Sequence, residues 1–319
     1  MSDRQRPILS AVLPVFQEGA HLGEMLAQVD RTLADLNQPY EIILIDDGSY
    51  DDTWSVIMEE SVRYPAIVAL QLSRNFGKEA ALLAGLRIAR GAAVITMDAD
   101  LQHPPELIPR MYEIWCRGDA DVVEAVKTFR GEESLFYKTS AKLFYFVMNC
   151  ISGVNIANSS DFKLIDRKVV IVLLTLAERK PFFRGLTEWV GFRKVRIPFM
   201  VAERIGGTSR WSFFSLTKLF INAVTSFSTV PLSFVSLSGL VFLVFALLLG
   251  CHTLYIYGSG RAVSGFTTVI LLILITGSWL MLCLGVVGEY LGRVFDEVKK
   301  RPRFIVRNTI NVSHVEDRD

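Results

Sequence analysis

The chain has 319 residues, 51% of them hydrophobic, and a formal net charge of +1. That length allows one large domain with an appendage or two small domains, and the near-neutral balance excludes the basic field of a nucleic-acid-binding protein. Its four cysteines, Cys116, Cys150, Cys251 and Cys283, form no CxxC pair, which argues against a zinc site or disulfide framework and leaves buried, inert thiols as the expectation.

In chain order, the first apolar stretch, Ile8 to Phe16, is broken by Pro14 and reads as a strand rather than a signal peptide, so this part is expected in the cytosol. Strand-like runs follow at Glu41 to Ile45, Ile67 to Leu72 and Ala93 to Met97, with a weaker one at Asp121 to Val126. Helical patterns lie between them, at Gly19 to Leu36, Thr53 to Arg63, Lys78 to Ala89 and Pro105 to Cys116. Strands alternating with helices predict an α/β fold of βαβ units around a mostly parallel sheet. Ligands of such sheets sit beyond the carboxyl ends of the strands. The residues there are Pro14 to Glu18, Asp46-Asp47-Gly48-Ser49, Ser73 to Gly77, and Asp98-Ala99-Asp100-Leu101-Gln102.

An acidic edge repels a phosphate unless a cation intervenes, and a hard divalent ion such as Mg²⁺ is held by one or two carboxylates plus substrate phosphates. Asp98 and Asp100, leaving a strand at alternate positions, suit such an ion. Taken alone the DxD also reads as a solvated turn; its place after a strand, one strand from a second Asp pair, favours the metal. Asp46 to Ser49 reads either as ordinary turn formers or as a carboxylate accepting hydrogen bonds from a nucleotide's base or ribose. No GxxxxGK[ST] is present and no GxGxxG follows the first strand, which excludes a P-loop site and argues against a nicotinamide enzyme.

Two segments, Leu135 to Ile151 and Trp211 to Phe227, mix aromatics with a few lysines and are expected to lie in the headgroup plane, core helix or subunit contact being the alternative. Charge-free runs then extend from Leu219 to Tyr257 and from Ala262 to Gly288. A span needs about 20 apolar residues to cross roughly 30 Å of hydrocarbon, and both runs exceed what core helices of soluble domains use. Arg293, Lys299, Lys300, Arg301, Arg303 and Arg307 follow the second run, whereas the intervening loop carries only Arg261. Lys and Arg favour the cytoplasmic side, so the two spans form a hairpin with both termini cytosolic in an inner or plasma membrane. The expected organisation is a cytosolic catalytic domain at 1–210, an interfacial helix at 211–229, two transmembrane helices within 230–292 (about 232–257 and 266–290), and a basic cytosolic tail at 293–319, mobile after Arg307.

The stretches Pro-Val-Phe-Gln-Glu, Ile-Asp-Asp-Gly-Ser-Tyr-Asp-Asp-Thr and Met-Asp-Ala-Asp-Leu-Gln-His-Pro-Pro-Glu resemble the family 2 glycosyltransferases of GT-A, Rossmann-like fold. Leu72 to Leu86, Leu-Ser-Arg-Asn-Phe-Gly-Lys-Glu-Ala-Ala-Leu-Leu-Ala-Gly-Leu, is similar to the polyprenyl-phosphate glycosyltransferases, most of all the bacterial enzymes that glucosylate undecaprenyl phosphate. The resemblance implies inverting transfer of a sugar, with UDP-glucose the expected donor, to a polyprenyl phosphate at the membrane, aided by Mg²⁺ or Mn²⁺, in a homo-oligomer such as a tetramer and with no nucleic-acid partner. It implies that Pro14, Phe16 and Glu18 line the nucleotide pocket, and that Asp46 and Asp47 hold base and ribose. Asp98 would sit near ribose and metal, Asp100 and Gln102 would reach the metal, and Asp161 would lie near sugar and acceptor. Arg204 and Arg210 match a basic segment near the phosphates. Lys127 and Arg130 are further candidates for the acceptor phosphate; each of these four also reads as a solvated surface charge. A phosphate monoester has a second pKa of about 6 and needs no deprotonation at neutral pH, so Asp161 is expected to position the sugar or a basic neighbour rather than to act as a base.

Other donors, such as GDP-mannose or a UDP-aminoarabinose derivative, fit the same reading. A processive polysaccharide synthase fits less well, because Gly207 stands where its QxxRW motif needs Gln ahead of Arg210-Trp211. A transporter subunit fits less well too, because neither span core holds an Asp, Glu, Lys or Arg. Asp98, Asp100 and Asp161 speak against a non-catalytic scaffold.

Overall fold

The predicted alternation is realised in chain order: β1 (Leu9–Val15), α1 (Gly19–Ala34), β2 (Tyr40–Asp46), α2 (Thr53–Arg63), β3 (Ile67–Leu72), α3 (Lys78–Ile88) and β4 (Ala93–Thr96). A 3-10 turn at Pro105–Leu107 leads into α4 (Ile108–Cys116) and β5 (Val122–Thr128), its prolines placed where a helix start has no need of the missing N–H. Next come β6 (Lys163–Asp166), α5 (Arg167–Thr175), α6 (Phe183–Trp189), β7 (Lys194–Met200), the long helices α7 (Val230–Gly258) and α8 (Phe266–Val298), and β8 (Val306–Ile310). The computed structural model describes residues 7–99, 103–128, 159–176, 182–200, 230–259, 265–299 and 301–312. The described residues up to 200 and from 301 onward belong to one compact unit; 230–299 belong to a second.

The first unit is an eight-stranded sheet in the order β7-β5-β6-β4-β1-β2-β3-β8. β1 pairs in parallel with both β2 and β4, β2 with β3, and β5 with β7; β6 runs antiparallel to β4 and β5, and β8 antiparallel to β3. The central strands are buried on both faces, which explains why they read as continuous apolar runs rather than alternating ones. On one face Leu9, Ala11, Leu13 and Val15 of β1 join Leu22, Met25 and Leu26 of α1, Ile57 of α2 and Met111 of α4 in the main core. On the other face α3 approaches closely because Gly85 has no side chain: a Cβ there would stand 2.3 Å from Val12 Cγ1. Chain order reverses between β1 and β4, and a crevice at the carboxyl edge of such a switch is where this architecture takes ligands.

Two differences from the sequence reading stand out. Residues 306–310, expected in a basic tail that is mobile after Arg307, form the edge strand β8, with Ala69 opposite Ile310 and Leu72 opposite Val306. Cys116, expected to be buried, is exposed at the end of α4, as is Cys251 within α7, because the core-facing residues of α4 are Ile108 and Met111.

The second unit holds two helices long and apolar enough to cross a membrane, with spans at Pro231–Ile256 and Leu272–Gly292. The 29 residues of α7 measure about 43 Å at about 1.5 Å per residue. The most apolar stretch of each helix has no buried residue, and its exposed apolar surface suits lipid, which points to membrane association. The helices meet around Trp279, which donates from Nε1 to Ser238 Oγ at 3.1 Å and packs beside Phe234 and Phe242. The predicted interfacial segments, Leu135 to Ile151 and Trp211 to Phe227, lie outside the described residues.

Candidate active site

Because β1 to β4 are parallel, the residues after them emerge at one edge, and antiparallel β6 returns its entry residues, Ser159 to Phe162, to that same edge. Asp161 thereby comes beside Asp98. Thr96 Oγ1 donates to the Asp161 carbonyl at 2.6 Å, pinning the two segments together.

Asp161 is nearly fully buried and tied to two cations. Arg184, from α6, grips it with Nε to Oδ1 and Nη2 to Oδ2, both at 2.8 Å. Lys78, the first residue of α3, also donates to Asp161 Oδ2, and its Nζ lies 2.5 Å from Asp98 Oδ1. One ammonium therefore bridges both carboxylates. Burial alone would raise the Asp161 carboxyl, but Arg184 and Lys78 outweigh it and hold the group well below the usual carboxylate range. Burial would likewise lower Lys78, yet Asp161 and Asp98 keep it above its ordinary value. Glu79 accepts from the Phe183 N–H at 3.0 Å, which ties α3 to the start of α6. Its carboxyl is pushed up to about 7, first by burial and then by the Asp161 charge.

Asp98 is held from the other side by His103, whose Nδ1 accepts the Asp98 N–H at 2.9 Å. His103 is buried and stacks on Phe162 with ring centroids 5.3 Å apart. Under this floor lies a second ion cluster. The fully buried Lys163 and Glu124 pair at 2.9 Å, Lys163 donates to Thr187 Oγ1 at 2.6 Å, and Arg196 Nε reaches Glu124 Oε2 at 3.2 Å. It joins β5, β6, α6 and β7, and so sets where Asp161 and Arg184 stand.

On the other side of the switch, Asp46 and Asp47 are buried. Asp46 accepts from the Ser49 N–H at 2.9 Å and from Gln71 Nε2 at 3.0 Å, and Gln71 Oε1 accepts from Asn308 Nδ2 of β8 at 2.6 Å. Asp47 accepts from the N–H groups of Phe76 and Gly77, at 2.7 and 2.9 Å; burial raises its carboxyl despite these bonds. Each carboxylate oxygen keeps a second lone pair, but the protein-facing bonds make both aspartates braces of the loops around the crevice. Gly48, directly after Asp47, has φ +70°, and a Cβ there would lie 2.3 Å from the Arg74 carbonyl carbon. Both the left-handed backbone and the close approach of the β3–α3 loop demand glycine. Gln17 also adopts a positive φ, 57°, an uncommon conformation for a side-chain-bearing residue, at the turn that carries Phe16 and Glu18. Phe16 meets the exposed Tyr50 edge-on at 6.0 Å. The Glu18 N–H donates to Thr53 Oγ1 at 3.1 Å, and Pro14 lies in β1 opposite Ile45.

Of the sequence-derived candidates, the structure thus brings Asp98 and Asp161 together and sets Pro14, Phe16, Glu18, Asp46 and Asp47 on the same sheet edge. Lys127 is the penultimate residue of β5, whose carboxyl end also points to that edge. Asp100, Gln102, Arg130, Arg204 and Arg210 lie outside the described residues. Among the described residues no group of three or more His, Cys, Asp or Glu side chains is placed to hold a metal. The donor chemistry nevertheless fits a hard divalent cation: the Asp98 and Asp161 oxygens already converge on one positive charge, that of Lys78. Sequence reasoning missed Lys78, Glu79, His103 and Arg184. Lys78 opens a helix directly after a strand-edge loop, which could have marked it; Arg184 carries no such signal.

Residues 10–174, just over half of the chain, match the family described as Glycosyl transferase family 2. The chain is 38% identical over 309 residues to the prophage bactoprenol glucosyl transferase homolog of Escherichia coli (strain K12), covering 94% of this chain and 98% of that one. It is 38% identical over 307 residues to the bactoprenol glucosyl transferase of Shigella phage SfII, again covering 94% and 98%. The solved glucosyl-3-phosphoglycerate synthase of Mycobacterium tuberculosis superposes with a TM-score of 0.47 at 16% identity, over 69% of this chain and 78% of that one, a likeness too distant to bear on function.

Proposed function

The chain belongs to glycosyl transferase family 2 and is a glycosyltransferase, and from that premise we propose that it transfers glucose from UDP-glucose to undecaprenyl or another polyprenyl phosphate at the membrane. The observation that carries the choice of acceptor is the double clamp on Asp161. A carboxylate paired with both Arg184 and Lys78 is a poor proton acceptor, because protonation must break strong charge-assisted contacts. A hydroxyl acceptor needs a base, whereas a phosphate, largely dianionic at neutral pH, does not. The relatives named bactoprenol glucosyl transferase, matched along 94% of this chain, support the same acceptor and point to glucose.

In the proposed reaction a phosphate oxygen of the lipid attacks the anomeric carbon. A new C–O bond forms as the bond from that carbon to the donor's diphosphate oxygen breaks; the nucleoside diphosphate departs, and the anomeric centre inverts. Phe16, with Pro14 and Glu18, frames the nucleotide side of the crevice, while Asp46 and Asp47 hold its loops. Asp161 orients Lys78 and Arg184, whose remaining N–H donors face charge that shifts from acceptor to leaving group. His103 fixes the backbone of Asp98. Asp98, with Asp100 and Gln102, would hold Mg²⁺ or Mn²⁺, which would supply positive charge to offset that of a departing diphosphate. Lys127, Arg130, Arg204 and Arg210 are assigned to the phosphates of acceptor and donor.

We assign the sheet unit to the cytosolic face. β7 and β8 belong to one sheet, so the chain between them must cross a bilayer an even number of times, as two spans do, and the lysines and arginines after α8 favour the cytoplasm.

The test is transfer of label from radiolabelled UDP-glucose into an organic-extractable lipid by the purified protein with undecaprenyl phosphate and Mg²⁺ or Mn²⁺. Label that is abolished by EDTA and by Asp100→Ala is the expected result. Label only from another nucleotide sugar would keep the reaction and correct the donor. No transfer from any donor by folded protein would overturn the reading.

A further inference from the structure

The Lys78 ammonium stands between the carboxylates of Asp98 and Asp161, and Asp98 is the described member of the acidic pair assigned to the metal. A divalent cation reaching Asp98 meets a fixed positive charge already bound to Oδ1 at 2.5 Å. The two cannot share that oxygen without strong repulsion: like charges at contact distance repel even at a surface-like dielectric, and a divalent ion doubles the charge on one side. We propose that Lys78 is a competing counter-cation of the metal site, which holds Asp98 in place and must yield it when the divalent ion binds. This rests on the assignment of Asp98 to the metal.

Three features make Lys78 suited to exchange rather than fixed like its neighbour. It is a single point charge on a flexible stem, whereas Arg184 is a planar fork committed to Asp161 through two bonds. Its side chain is 39% exposed, so the ammonium can swing away without burying an unpaired charge. It begins α3, whose position is fixed by the close contact of Gly85 with β1 and by Glu79 bonded to Phe183, so the side chain can move while the helix stays. On leaving Asp98, Lys78 keeps Asp161 as partner and has the freed N–H to offer an anionic substrate group. Metal arrival and presentation of Lys78 to an anion are then one event. Lys78 is in this sense a positioning residue.

The experiment is direct binding of Mn²⁺ to the full chain in lipid nanodiscs without nucleotide, read from the free-ion signal by electron paramagnetic resonance. It compares wild type, Lys78→Met and Asp98→Asn. If Asp98 is free of Lys78 about a tenth of the time, the competition weakens apparent affinity by about tenfold, so Lys78→Met should bind Mn²⁺ about tenfold more tightly than wild type. A second measurement needs no variant. The acetylation rate of Lys78, read by mass spectrometry, should rise several-fold when Mn²⁺ alone is added, while Lys168, paired with the distant Asp121, stays constant. Wild-type binding that depends on Asp98, combined with equal or weaker binding by Lys78→Met and unchanged Lys78 labelling, overturns the competition and leaves the metal assignment standing. Binding that Asp98→Asn does not alter overturns the assignment and this inference with it.

Discussion

Replacing Asp161 by asparagine separates a positioning carboxylate from a catalytic base. The change keeps shape and removes charge. Asp161 accepts three charge-assisted hydrogen bonds, two from Arg184 and one from Lys78. The amide keeps one acceptor oxygen and turns the other into an N–H donor, so at least one of the three bonds, each contributing about 1.5–3 kcal/mol, is lost and the others face a neutral acceptor, a loss of about 3–5 kcal/mol before screening. Both cationic side chains are 39% exposed, and solvent screening reduces this to about 2–3 kcal/mol. Felt fully in the transition state, that lowers kcat/KM about 30- to 150-fold. The assay is initial-rate sugar transfer to polyprenyl phosphate between about pH 6.5 and about pH 9, where the acceptor is already largely dianionic. A positioning role predicts the same fold-loss at every pH, with the melting temperature of the variant recorded to separate folding from function. Recovery of the variant toward wild-type rate as pH rises would refute the reasoning, because it would mean that Asp161 removes a proton which alkaline solvent can remove instead.

Gly48→Ala should destabilise the sheet unit by at least about 3 kcal/mol in denaturant titration: the left-handed backbone costs about 1 kcal/mol or more, and retreat of the Arg74 backbone breaks the bonds from Phe76 and Gly77 to Asp47. A loss under about 1 kcal/mol would contradict the close approach. Glu79→Gln keeps the acceptor for Phe183 but removes a carboxyl whose folded pKa, raised by burial and by Asp161, is about 7 against an ordinary 4.5. The folded state holds that proton more tightly, so wild-type stability relative to the variant should fall as pH rises from about 4.5 to about 7 and stay level above, by at most about 3 kcal/mol; a flat difference across that window would count against it. Glu124→Gln leaves Lys163 fully buried without its counter-charge and should cost about 3–5 kcal/mol by thermal or chemical denaturation, whereas a near-neutral result would show that buried Lys163 does not depend on Glu124 for its charge balance.

The first four strands and their helices were legible because strands buried on both faces leave unbroken apolar runs, and helices such as α2 keep their bounds, Thr53–Arg63, through a clear periodicity. β8 was not, because Val-Arg-Asn-Thr-Ile shows only its end residues partly to the core and the three between to solvent, so no apolar pattern marks it, and the basic residues before it read as a tail. The acidic candidates were legible as residues after strand ends. The pairing of Asp161 with Asp98 was not, since it depends on β6 running antiparallel to β4 across a long stretch of chain. Lys78 and Arg184 escaped because a cation becomes informative only when the carboxylate it neutralises is known.

The position of β8 also governs the order in which the protein can be completed. The ribosome makes β3 early and β8 only after both long helices, so until then β3 presents an edge of unpaired N–H and C=O groups, the kind of template that recruits foreign strands. A nascent chain passes through that state once; a chain truncated before α7 to obtain a soluble catalytic fragment stays in it. Such a fragment also lacks Asn308, and with it the hydrogen bond that orients Gln71 beneath Asp46. A version without the two long helices that keeps the Asp46 side of the crevice intact therefore has to graft residues 301–312 back onto the sheet rather than stop before α7.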